Sequence, residues 1–114
     1  MSRDSNVFLK DILNAIKRIE EYTKDCSFQD FREKQLIQDG VVRNLEIIGE
    51  AVKHLPKEIQ KKNPTIEWKK IAGLRDILIH AYFGIEEEIV WDVITQKIPV
   101  LKKQVVQILT KKKK

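Results

Sequence analysis

Glu33–Leu55 reads EKQLIQDGVVRNLEIIGEAVKHL. Ile37, Val41, Leu45, Ile48, Val52 and Leu55 recur in steps of three and four, the spacing that lines side chains along one face of an α-helix. Gly40 and Gly49 lie inside it and each costs about 1 kcal/mol relative to alanine. Such a cost points to close approach of another helix or to a kink. Pro56 stops the helix and can open a short one through Gln60. His54 sits near the helix C-terminus, where the partial negative charge favours a cation, so it reads as a surface or capping residue.

The same periodicity extends in both directions. A first helix is predicted over Ser5–Asp25, with Phe8, Ile12, Ala15, Ile16, Ile19 and Tyr22 on one face. Ser27 followed three residues later by Asp30 forms a weak capping-box pattern, and Phe28 and Phe31 read as core anchors of a short helix or turn. Beyond the central helix, Asn63-Pro64 marks a turn. A further helix begins near Thr65 to Glu67, carries Trp68, Ile71, Ala72, Leu74, Leu78 and Ile79, and has a natural stop at Gly84. The last helical region spans Glu86 to Lys111, with Trp91, Ile94, Ile98, Leu101, Val105, Ile108 and Leu109 inward. Pro99 should kink it or split it in two. The two tryptophans lie on inward faces and read as core. Glu86, Glu87 and Glu88 form an acidic first turn that complements the helix dipole. The fold class expected is all-α, an up-and-down bundle of four main helices with one or two short ones.

Composition agrees with one domain over residues 1–110 and a basic tail over 111–114. The chain of 114 residues is 42% hydrophobic, enough for a single modest core. Three prolines and four glycines favour helices over a turn-rich sheet. No run approaches the length of a membrane span, and no basic segment precedes an apolar core at the N-terminus, so neither a span nor a secretory signal is expected. Cys26 stands alone, which leaves no internal disulfide and fits a reducing cytoplasm. The formal charge of +5 is misleading: Lys111–Lys114 supply four of the 22 basic residues, leaving 18 against 17 acids. The body is nearly neutral, so strong nucleic-acid binding cannot be argued from net charge, and any such recognition has to come from local placement. The lysine tail either adds phosphate contacts or is a solvated terminus.

The chemistry concentrates in Gly73–Gly84, GLRDILIHAYFG. Arg75 is a permanent cation whose planar fork suits a phosphate. His80 is one of two histidines and the side chain best placed to exchange protons near neutral pH. Asp76 either orients one of them by hydrogen bonding or only solvates the helix. On a regular helix five residues turn about 140°, so Arg75 and His80 do not share one narrow face. Arg75 and Tyr82 do share a face, roughly 10 Å apart along the axis. Either the helix loosens just before Gly84 or the groove is wide and another surface completes it. Glu46 and Glu50, one turn apart, line a cleft floor or serve an exposed, helix-pairing role. The two histidines and the single cysteine give no zinc spacing, and no Gly-rich loop follows a strand, so no nucleotide cradle is visible.

The string Arg75-Asp76-x3-His80-x-Tyr82, followed by Phe83-Gly84, resembles the Arg-x4-His motif of the HEPN superfamily of helical ribonucleases, in its HepT (DUF86) branch. Val42–Ala51 upstream and Trp68–Leu74 leading into the motif agree, and the resemblance runs from about Phe8 to Leu109. Ala81 stands where the family often has an acid. The resemblance implies a metal-independent endoribonuclease without cofactor, acting as the toxin of a two-component toxin–antitoxin pair. It implies cleavage by the ribose 2′-hydroxyl, with His80 as general base or acid and Arg75 stabilising the phosphorane charge. It further implies a homodimer with the two motifs facing a shared cleft. The partner implied is a minimal nucleotidyltransferase antitoxin that silences the toxin by adding AMP units to Tyr82. A catalytically idle helical adaptor that binds such an enzyme or its substrate is the alternative.

Overall fold

A computed structural model describes residues 5–80 and 87–111, with the backbone alone for residues 75–80. Every regular element among the described residues is helical. The elements are α1 (Ser5–Tyr22), α2 (Phe28–Glu33), α3 (Gln35–His54), α4 (Lys57–Lys62), α5 (Trp68–His80), α6 (Glu87–Asp92), a π-helical turn (Val93–Lys97) and α7 (Ile98–Lys111). The expected all-α bundle is the fold. Four long rods are built from α1, α3, α5 and the α6–π–α7 run, with α2 and α4 as the short additions. No helix among the described residues is long and apolar enough to cross a membrane.

Helix α3 is the middle of the bundle, packing against α1 on one flank and α5 on the other, while α7 closes on α1. Val41, Leu45, Ile48, Val52 and Leu55 form its buried stripe, and Ile37 packs partly buried at its start. Gly40 owes its presence to close approach: a Cβ there would stand 3.0 Å from the Tyr22 ring of α1. Asn44 is buried beside it, donating to the Gly40 carbonyl at 2.8 Å and accepting from Arg18 of α1 at 3.3 Å.

Helix α1 stops at Tyr22 rather than Asp25. The Thr23 hydroxyl donates to the Ile19 carbonyl at 2.7 Å, and Asp25 takes a left-handed φ of 58°, which aspartate tolerates better than most residues. Leu9 rather than Phe8 is the fully buried residue of the first turns, and Tyr22 is exposed at the α1 terminus. The Ser27 capping box is complete. The Ser27 hydroxyl accepts from the Asp30 N–H, and the Ser27 N–H donates to Asp30 Oδ2, each at 3.1 Å. Phe31 is fully buried, and Phe28 and Phe31 both meet Trp91 of α6, at 6.0 and 5.4 Å between ring centroids.

The central helix was expected to start at Glu33, but Lys34 leaves helical geometry (φ −108°, ψ 94°) and α3 begins at Gln35. The break strands carbonyls at the end of α2. Gln38 answers for two of them: its buried Nε2 donates to the Phe31 and Arg32 carbonyls at 2.8 and 2.9 Å. At the other end, Leu55 is extended because a proline follows. Gln60 of α4 reaches back to the Val52 and Leu55 carbonyls at 3.5 and 3.3 Å. Asn63 then makes the turn, donating to the Ile59 carbonyl at 2.9 Å and accepting from the buried Trp68 indole at 3.0 Å. Helix α5 thereby returns along α3.

The last run, expected to kink or split at Pro99, is interrupted just upstream of it. The five residues Val93–Lys97 form a π-helical turn, closed by the Ile98 N–H donating to the Val93 carbonyl. Pro99 has no N–H for the Thr95 carbonyl and its ring crowds that group; the widened turn immediately before it absorbs both effects. Ile94, Ile98, Leu101, Val105 and Ile108 stay buried throughout.

Gln38→Ala should lower stability by about 2 kcal/mol, because two stranded carbonyls lose their donor. Gln38→Glu should be worse at neutral pH, where a carboxylate faces carbonyl oxygens. The folded state raises that carboxyl's pKa, so the penalty should fade as pH drops and the protonated acid donates again. Urea denaturation of both variants across pH checks the sign.

Candidate functional site

Helix α5 positions the motif. Its buried N-terminal residue Trp68 anchors it to the Asn63 turn, and Ile71 and Ala72 pack partly buried against the core. The backbone remains helical through His80. Arg75, Asp76 and His80 therefore all belong to this one helix, and any loosening of the chain falls after His80. Arg75 and His80 lie about 8 Å apart along the axis and about 140° apart around it. The side chains of these three residues lie outside the described set, as do Tyr82 and Gly84 altogether.

Helix α3, against which α5 packs, carries the two acids singled out from the sequence. Glu46 and Glu50 line a cleft of about 270 Å³ with Phe8, Asp11, Arg43 and His54. Glu46 approaches Arg43 at 4.0 Å and Glu50 bonds His54 at 3.1 Å. Both pairs lie within α3, and the described lining of this cleft comes from α1 and α3. His54 is exposed at the last residue of α3, stacked on Phe8 at 5.7 Å, as a surface histidine should be.

Other nucleophile and stacking candidates resolve into structure. Burial, then the Asp30 charge, pushes the Cys26 thiol above its ordinary range, and a protonated thiol is a poor nucleophile. The Asp30 carboxyl is itself held below its ordinary value, first by the Ser27 N–H and then by the Ser27 hydroxyl. Trp68 is buried and Trp91 packs on phenylalanines, so neither offers a free face to a base.

Sequence reasoning passed over the seam between α5 and the π turn with α7. An open groove of about 680 Å³ runs there, rimmed by Lys70, Lys97, Gln96 and Gln104 over Ile71 and Leu74. The sequence signal nearest to it is the cluster of five lysines in Lys57–Lys70.

The family model described as ribonuclease HepT-like matches residues 12–108. The chain belongs to the HepT-like family. "Putative RNase TTE0752" of Caldanaerobacter subterraneus subsp. tengcongensis is 48% identical over 93% of this chain and 95% of its own. "Probable ribonuclease HepT" of Thermococcus cleftensis is 43% identical over 90% of this chain and 93% of its own. "Gamma-glutamylcyclotransferase and putative RNase MJ0434" of Methanocaldococcus jannaschii is 45% identical over 96% of this chain, which spans only 49% of that longer protein. No solved structure matches the chain.

The HepT-like chain's thiol gives a direct check on the local electrostatics. Alkylation of Cys26 should have its pH midpoint above that of free cysteine. Asp30→Asn should move the midpoint down, because it removes the nearby charge while leaving the burial. Rates of iodoacetamide labelling measure both.

Proposed function

We propose that this HepT-like protein is a metal-independent endoribonuclease, the toxin of a toxin–antitoxin pair. The observation that carries the reading is the family match across residues 12–108, together with Arg75 and His80 on the single helix α5. Relatives of near-equal length bear the name RNase or ribonuclease HepT.

The chemistry proposed is internal transesterification. The ribose 2′-oxygen attacks the neighbouring phosphorus, the P–O5′ bond breaks, and the products are a 2′,3′-cyclic phosphate and a 5′-hydroxyl. His80 moves the proton of the 2′-hydroxyl or of the leaving oxygen, a role that typically contributes about 10²- to 10⁴-fold. Arg75 offsets the charge that builds on the phosphorane oxygens. Asp76 is assigned to orienting one of these two. The 140° between Arg75 and His80 on a helix that stays regular asks for a second wall, and a symmetric homodimer with two motifs at one cleft supplies it. Regulation is assigned to Tyr82. An AMP group there, added by a minimal nucleotidyltransferase antitoxin, would set a phosphate beside Arg75 and occupy the space an RNA phosphate needs. The adaptor reading has no observation of its own in its favour.

His80→Ala and Arg75→Ala should each reduce RNA cleavage by at least about 10²-fold while leaving the circular dichroism spectrum unchanged. Cleavage should persist in EDTA and yield cyclic-phosphate ends by mass spectrometry; loss on chelation contradicts the mechanism. Incubation with the nucleotidyltransferase and ATP should add AMP units to the wild type and none to Tyr82→Phe. Sedimentation at micromolar concentration should show a dimer, and an active monomer would remove the shared cleft.

A further inference from the structure

The charge of this chain is unevenly laid out. Outside the lysine tail, 18 basic residues face 17 acids. Within Lys57–Lys70, however, Lys57, Lys61, Lys62, Lys69 and Lys70 face only Glu58 and Glu67, and all five lysines are exposed. Folding adds Lys97, exposed at the end of the π turn. A shallow, open depression and the groove of about 680 Å³ adjoin and share Glu67 and Lys70. The first is also lined by Lys61 and Lys69, the second by Lys97. Glu67 sits at the centre, bonded to Lys70 at 2.8 Å. Its carboxyl is held below its ordinary value by that bond, by the charge of Lys70 and also by Lys97. Lys70 of α5 and Lys97 of the π turn thus act on one acid, and Lys61 of α4 lines the depression beside it.

We propose that this end of the bundle, with Lys61, Lys69, Lys70 and Lys97 around Glu67, is a track for the phosphate backbone of single-stranded RNA leading to the motif on α5. The inference rests on the ribonuclease reading and adds to it the path of the substrate. Lysines on flexible stems suit a row of phosphates better than a fixed bidentate ligand. On the same helix Lys69 precedes His80 by eleven residues, about 16 Å along the axis and about 20° around it, so a strand lying along that face reaches the motif. Within Lys57–Lys70 the excess is three positive charges, and on a nearly neutral body such local placement is the source of affinity. Glu67 limits that attraction by pairing with Lys70. The pair is exposed and contributes little to stability, so its members are open to change.

The test uses the full chain and a short 2′-O-methyl RNA strand, which cannot cleave through a 2′-hydroxyl. Replacing all four lysines by alanine should weaken binding at least about tenfold, and the slope of log affinity against log salt should fall by about 2 to 3, roughly 0.7 for each lost phosphate contact. Replacing them by arginine should retain binding. E67Q should tighten it, an opposite sign that a purely structural role does not produce, and thermal melts should stay within a few degrees of wild type. An unchanged salt slope overturns the track even if cleavage is normal. Binding with the expected slope but no cleavage of natural RNA keeps the track and removes the ribonuclease reading. Loss of polyglutamate binding with RNA binding intact assigns the face to an acidic protein and overturns the proposal.

Discussion

Helix α3 has to be buried on two flanks at once, and the bundle follows from that constraint. Its stripe from Val41 to Leu55 meets α1 on one side, while its other flank receives α5. A Cβ at Gly40 would press on the Tyr22 ring of α1 at 3.0 Å, so glycine suits this close approach. Removing a buried side chain of this size typically costs about 2 to 5 kcal/mol, a large share of the stability of a small domain. The motif helix depends on the same packing, since α5 is held in place by α3.

Packing of this kind requires the chain to break and turn in tight space, and each break strands backbone groups. Amide side chains collect them. Gln38 serves the end of α2, Gln60 the end of α3 and Asn63 the end of α4, while the Asn63 backbone carbonyl accepts from the Trp68 indole at the entry to α5. These bonds add modest net stability each, but leaving the carbonyls unpaired would cost more. The π turn before Pro99 is the same solution applied inside a helix: the geometry widens where a donor is missing, and the apolar stripe of α7 keeps its burial.

Surface ion pairs join distant elements, Arg32 to Glu87 at 3.2 Å and Lys102 to Glu20 at 3.0 Å. Being exposed, they contribute little to stability. The more consequential electrostatic feature is the lysine-rich end of α4 and α5. It gains its meaning from the neighbouring groove rather than from any single pair.

The amino-acid sequence by itself determined the helices, the inward stripes, the Ser27 capping box and the family, because each depends on residues close along the chain or on matched motifs. It also located Arg75, Asp76 and His80 on one segment. Boundaries at Asp25 and Lys34 escaped it, since a left-handed residue and a single extended one carry weak local signals. Tertiary structure alone decided that Gln38 and Asn44 are buried polar donors, that Pro99 resolves into a π turn, and that Lys97 joins Lys61, Lys69 and Lys70. Those outcomes depend on which surfaces meet across the bundle, and helical periodicity specifies a face without specifying its neighbour.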